Sequence, residues 1–253
     1  MKILFLLLAG VLSSGMLSAQ TLSIFCEDNK PIQYLGADGK PAGFAVDVVR
    51  EIQRRTDSAD EIQLVPWARG LNRLNANPNT LLFSMARTAE RDNLYQWIGP
   101  IFDNSYAFYI RADSTLSISN LEDAKKLSSI GVYRGDVRDQ VLTNLGFANL
   151  DRANSNLSNV KKLMAGRIAM FAGSPTNMQA LAEEAGYKLS DFRLVFVFMH
   201  KQLYIAASLG TDPSLVAKWS AALEQMKRDK TFEKMFKQYF PGMDLPSPVG
   251  SSF

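Results

Sequence analysis

Short apolar runs trade places along this chain with stretches whose apolar residues recur every three or four positions. This is the pattern of strands alternating with amphipathic helices. Leu22 to Phe25 reads as a strand, and Pro31 to Lys40 as a turn-rich connection with a tight turn at Asp38-Gly39. Phe44, Val48, Val49 and Ile52 repeat at helical spacing through Gly43 to Arg55, with charges on the other side. Ile62 to Val65 is a short strand, Trp67, Leu71 and Leu74 share one helix face, and Leu81 to Met85 is the next strand. Tyr106 to Ile110 and Ser128 to Tyr133 follow, the second ending at Arg134-Gly135-Asp136 ahead of a helix. Leu157 to Ala165 is helical, and Arg167 to Phe171 is a strand closed by Gly173-Ser174-Pro175. There Ser174 suits a helix cap and Pro175 the first helical turn. Phe192 to Met199 and Leu203 to Ser208 read as two separate strands. Asp212-Pro213 opens a helix that, with one more, carries the chain to Phe240, and the tail after Pro241 reads as loosely ordered.

Such alternation implies mainly parallel sheets flanked by helices. No internal repeat, low-complexity tract or flexible linker breaks it, so any two lobes would be joined through short strand-like crossings. The first nineteen residues read as a secretory leader: Lys2, an apolar run from Ile3 to Leu12, and Leu17-Ser18-Ala19 before Gln20. That run is too short to span a bilayer, and Ser23-Ile24-Phe25 ahead of Cys26 does not resemble a lipid-attachment signal. An exported, unanchored protein is expected. The net charge of +3 is dispersed among acids, which gives no footing for nucleic acid. One cysteine and one histidine, His200, argue against a histidine/cysteine metal site and against histidine-centred catalysis. No cofactor is expected, and Cys26 reads as a small buried side chain.

The candidate chemistry lies where the strand at Leu81 ends in Arg87-Thr-Ala-Glu-Arg91, running on to Trp97-Ile-Gly-Pro100. Side chains at the carboxyl ends of strands in α/β proteins project into the crevice where ligands bind. A guanidinium there offers a forked pair of donors that matches a carboxylate. A solvated turn whose charges pair among themselves is the bland alternative.

Taken in order, Pro31-Ile-Gln-Tyr34, Gly43-Phe-Ala-Val-Asp-Val48, Thr88-Ala-Glu-Arg91, Gly131-Val-Tyr-Arg-Gly135 and the helix pair from Asp212-Pro-Ser-Leu resemble the extracellular solute-binding proteins of family 3. These are the polar amino acid receptors of bacterial ABC importers. The resemblance implies an α/β, two-lobed periplasmic binding protein-like fold (type II), each lobe a mainly parallel sheet with flanking helices. Residues 20–101 and 201–253 would form lobe one and 106–199 lobe two, with hinge crossings near 102–105 and 199–202.

By the same resemblance Arg91 stands where relatives clamp a ligand carboxylate, and Trp67 where they place an aromatic ring. Glu27 stands where some carry an acid. An ion pair with Glu90 or Asp92, a core tryptophan and a solvated turn acid are the respective alternatives. Tyr133 and Arg134 would reach across from the second lobe. Arg69 and Arg87 would add cations, or else neutralise Glu90 or Asp103. Tyr34, Ala86 and Ser174 complete the candidate set. Three departures stand out: Ala45 stands where the family's helix motif usually has an acid, Gly173 replaces the aspartate that holds the ligand ammonium, and Ala86 a common hydroxyl. Burying an ammonium without a counter-charge is costly, so either Glu27 or another acid has taken over or the ligand is not an ordinary α-amino acid but a small carboxylate or other anionic polar solute.

The expected role is therefore capture of a small polar carboxylate-bearing solute, an amino acid or related organic acid, for an inner-membrane ABC permease, by a monomer and without catalysis. A periplasmic sensor feeding a membrane receptor, and a dehydratase of the arogenate/prephenate type with Glu27 as acid, are the alternatives.

Overall fold

The computed structural model of the protein describes residues 21–247. The leader expected at 1–19 and the last part of the tail lie outside the described residues. The chain runs β1 (Ser23–Cys26), β2 (Tyr34–Leu35), β3 (Pro41–Ala42), α1 (Phe44–Thr56), β4 (Ile62–Leu64), α2 (Trp67–Ala76) and β5 (Thr80–Ala86). It continues through α3 (Ala89–Asp92), β6 (Tyr95–Arg111), α4 (Leu121–Lys125), β7 (Ile130–Tyr133), α5 (Val137–Asn144) and β8 (Leu150–Ala153). Then come α6 (Asn156–Met164), β9 (Met170–Gly173), α7 (Pro175–Glu184), β10 (Phe192–Ser208), α8 (Pro213–Arg228) and α9 (Thr231–Tyr239).

One eight-stranded sheet takes the order β4-β1-β5-β10-β6-β9-β7-β8. β1 runs parallel to β4 and β5, and β7 parallel to β8 and β9, whereas the joints through β10 and β6 are antiparallel. The two central strands are each 17 residues long and serve two bodies. β5 meets β10 only at Leu203–Ala207, and β9 meets β6 only at Ala107–Tyr109. Between those docking points the pair runs alone, Phe102 opposite Leu203 and Ser105 opposite His200. The result is a two-lobed α/β fold.

Each body has its own core. In the first, Phe44, with no exposed surface, holds α1 against edge-on rings of Phe232, Phe236, Tyr239 and Phe240, so the C-terminal helices close the lobe begun by β1. Trp67, Leu74, Leu82 and Met85 cover the other face of that sheet. In the second, Val160, Phe171 and Met178 form one layer, and Phe108, Ile130 and Leu142 the opposite one. Full burial of a side chain such as Phe44 contributes about 1.5–3 kcal/mol.

Two expectations are corrected here. The strand expected at Tyr106 begins at Tyr95 and passes straight through Gly99-Pro100. Gly99 adopts φ 150°, and a Cβ there would sit 2.6 Å from the Tyr204 ring, so only glycine carries the strand past it. Likewise the strands expected at Phe192 and Leu203 are one strand, continuous through the polar His200-Lys201-Gln202. Cys26 is buried as expected, and burial, with help from Glu27, pushes its thiol up to about 12. Among the described residues, no helix is long and apolar enough to cross a membrane.

Candidate functional site

Between the two bodies lies an inner cavity of about 30 Å³, lined by residues that include Glu27, Trp67, Ala86, Arg91, Asn104, Asp136, Arg138, Asn156, Ser174 and Asn177. The strand ends of β1 and β5 supply one wall, and the starts of α5, α6 and α7 the other.

Arg91 is held by the short helix α3 and is only 4% exposed. Its Nη1 donates to the Ala86 carbonyl at 3.1 Å, its guanidinium carbon lies 5.6 Å from the centre of the Trp67 ring, and its buried Nη2 makes no hydrogen bond. Burial draws its pKa down from the usual guanidinium range, and the charge of Asp136 opposes that shift. A buried donor without a partner costs about 1–3 kcal/mol, more when charged, and an acceptor reaching this fork would remove that cost.

The second body brings its own arginine. Asp136 caps α5, its Oδ1 accepting from the backbone N–H groups of Arg138 at 2.9 Å and Asp139 at 3.1 Å. Its Oδ2 accepts from Arg138 Nε at 2.5 Å, while Arg138 Nη1 donates to the Ala172 carbonyl at 3.2 Å. Arg138 is buried and fully engaged.

Glu27 is half-buried, with Oε2 shut off from solvent and unpartnered. Burial first, and then the charge of Asp136, raise its carboxyl to about 8. Hydrogen bonds that join the bodies across the cleft include Trp67 N–H to the Tyr133 hydroxyl at 3.2 Å, Trp67 Nε1 to the Gly135 carbonyl at 3.1 Å, Asn177 Nδ2 to Asn29 Oδ1 at 2.5 Å and Asn144 Nδ2 to Glu90 Oε1 at 3.5 Å.

The structure thus brings Glu27, Trp67, Ala86, Arg91 and Ser174 to one cavity, with Tyr133 bonded to Trp67 at its edge. Four candidates lie elsewhere. Arg69 is exposed because two steps beyond Trp67 on α2 turns a side chain to the far side of the helix. It shares an outer hollow with exposed Arg134, which bonds Asn154 and the Arg152 carbonyl. Arg87 follows Ala86 in the β5 alternation and so points away from the cavity; it pairs with Asp92 at 2.6 Å against the rings of Trp97 and Tyr204. Tyr34 lines an outer groove under Lys30. Ser174 forms no cap, since its hydroxyl donates instead to Asn104 Oδ1 at 2.8 Å.

Sequence reasoning missed Asp136, Arg138, Asn29, Asn156 and Asn177. The Asp-x-Arg at the start of α5 was the available signal, since a capping aspartate holds the second helical residue beside itself. Gly173 also has a packing reason: a Cβ there would fall 2.8 Å from the Phe171 ring and 3.2 Å from that of Tyr109. An aspartate would enter the second core. Ser84, in the cavity wall, adopts φ 61° at a bulge of β5 and bonds Gln33 at 2.8 Å. Among the described residues, no cluster of three or more histidine, cysteine, aspartate or glutamate side chains could hold a metal.

Residues 23–242 match the family model described as bacterial extracellular solute-binding proteins, family 3. The chain is 25% identical over 219 residues to the amino-acid-binding protein AabA of Dichelobacter nodosus, covering 83% of this chain and 84% of that protein. A histidine kinase sensor domain with similarity to periplasmic binding proteins superposes with TM-score 0.80 at 19% identity, over 89% of this chain and 99% of the other. An ancestral arginine-binding protein bound to arginine superposes with TM-score 0.77 at 21% identity, over 87% and 98%.

Proposed function

We infer that this chain, which belongs to the bacterial extracellular solute-binding proteins of family 3, captures a small carboxylate-bearing solute between its lobes. The observation that carries this reading is the unpartnered Nη2 of buried Arg91, a cationic donor at the wall of the interlobe cavity. A carboxylate oxygen satisfies it with a charge-assisted hydrogen bond.

Closure is the working motion. We place the hinge in the unsupported ribbon at 102–105 and 199–202, with residues 20–101 and 201–253 as one lobe and 106–199 as the other. A ligand shifts an open–closed equilibrium only as far as it binds the closed form better. A solute held at Arg91 on one lobe that also touches the cavity wall of the other lobe supplies that preference. Delivery to an ABC permease after export is the leading outcome. A membrane receptor is the alternative partner, supported by the likeness to a sensor domain, and a pull-down from membranes separates the two. A dehydratase has one observation in its favour, the Glu27 carboxyl raised to about 8, which suits a proton donor. Turnover of prephenate or arogenate by the purified protein tests that reading.

The binding experiment is isothermal titration with a panel of amino acids and amine-free organic acids, repeated on Arg91→Ala. Carboxylate binding lost in the variant supports the reading, and binding indifferent to Arg91 removes it.

A further inference from the structure

The inner cavity opens onto a much larger space. An outer groove of about 1120 Å³ runs between the lobes, lined on one side by Asp28, Lys30 and Tyr34 and on the other by Asn154 to Leu157 and the end of α7. Asn29, Asn156 and Asn177 line both the groove and the inner cavity, so they form the threshold between them.

At about 30 Å³ the inner cavity holds a terminal group and no more, whereas pockets that enclose a whole small ligand measure ~300–1,000 Å³. The threshold is also unfinished. Asn177 is 4% exposed and its Oδ1 has no partner, and Asn156 Oδ1 is likewise buried and unpartnered. Both are acceptors that N–H or O–H groups of an arriving solute or of water would complete. Beyond them the groove is acidic: Asp28, Asp38, Glu183 and Glu184 line it against a single Lys30. Asp28 and Glu184 approach from opposite lobes, closely enough that the Glu184 charge adds to burial in raising the Asp28 carboxyl.

We propose that the solute is elongated, with its carboxylate in the inner cavity at Arg91, its chain crossing the asparagine threshold, and a distal cationic group lying in the outer groove between Asp28 and Glu184. The proposal rests on the carboxylate reading of Arg91 given above. It explains why the inner cavity is too small for a whole amino acid and why like charges are placed face to face across a closing gap. A cation between two carboxylates turns their repulsion into a bridge joining the lobes.

The test is calorimetry of the mature protein with ω-amino acids of increasing length, from glycine to ω-aminooctanoate, beside octanoate as the chain without its amine. Affinity is expected to rise by at least roughly tenfold along the series, about 1.4 kcal/mol, with octanoate well below ω-aminooctanoate. In the double variant Asp28→Asn, Glu184→Gln, at two exposed positions, the long-over-short preference shrinks toward one. Equal affinity for short and long members, or for octanoate and ω-aminooctanoate, or an unchanged preference in the variant, overturns the proposal while leaving Arg91 as carboxylate site. Binding of the whole series unaffected by Arg91→Ala overturns both.

Discussion

Arg91 and Arg138 line one cavity from opposite lobes, both buried to a similar degree, yet their surroundings differ in kind. Arg138 spends its guanidinium on Asp136 and the Ala172 carbonyl and stacks 5.6 Å from the Tyr106 ring. Arg91 has one carbonyl, one aromatic face and an idle Nη2. A buried ion with a complete set of partners belongs to the fold, and a buried ion with a gap leaves room for a partner that arrives later. Residue type and burial alone would not have told them apart; the inventory of partners does.

The strongest way to sharpen that contrast is to remove the paired arginine. Arg138→Ala strands Asp136 as a buried charge, and breaking such a pair costs about 3–5 kcal/mol. Urea unfolding should show a loss of that order, and a loss near zero would mean that Asp136 finds water or another cation. Arg91→Ala is expected to act on the other property. Truncating one side of a buried charged contact costs ~2–5 kcal/mol of binding, while thermal unfolding of the ligand-free protein should stay level or rise, because an unpaired buried cation has gone. A large drop in melting temperature without change in affinity would reverse the roles assigned to the two residues.

A smaller effect is expected at the contact joining the lobes. Trp67→Phe keeps the ring against Arg91 but deletes the indole donor to the Gly135 carbonyl, a net loss of about 0.5–1.5 kcal/mol. Small-angle scattering of the ligand-free variant should then report a larger radius of gyration than wild type, and identical curves would show that this bond does not hold closure. The last effect is a slope with pH. Glu27 binds its proton more tightly in the fold, at about 8 against an ordinary 4.5. The unfolded chain releases that proton first as pH rises, so this contribution is complete below about 4.5 and is lost progressively as pH climbs to about 8. Melting temperatures of wild type should fall across that window relative to Glu27→Gln, and parallel curves would indicate an ordinary carboxyl.

The same reasoning explains what could be read from the chain beforehand. The layered α/β fold was legible because its strands and helices bury one face each, and burial imposes a period on the sequence. The long ribbon was not, because at His200-Lys201-Gln202 the pair crosses between two bodies, and polar residues interrupt the pattern without interrupting the strand. In the site, Arg91, Trp67 and Glu27 were reached through the family resemblance, and the fold brings all three to one cavity. Arg87 misled because one residue's step along β5 reverses a side chain, and Arg134 because the turn it occupies faces outward. The asparagines of the threshold carried no signal at all, for an amide reads as surface unless the fold is known to bury it.

The most direct test is a crystal structure of the protein with the tightest binder from a solute panel. The account predicts a carboxylate oxygen within hydrogen-bond reach, about 3 Å, of Arg91 Nη2 in the interlobe cavity. A bound carboxylate held elsewhere, with Nη2 still unpartnered, would contradict it.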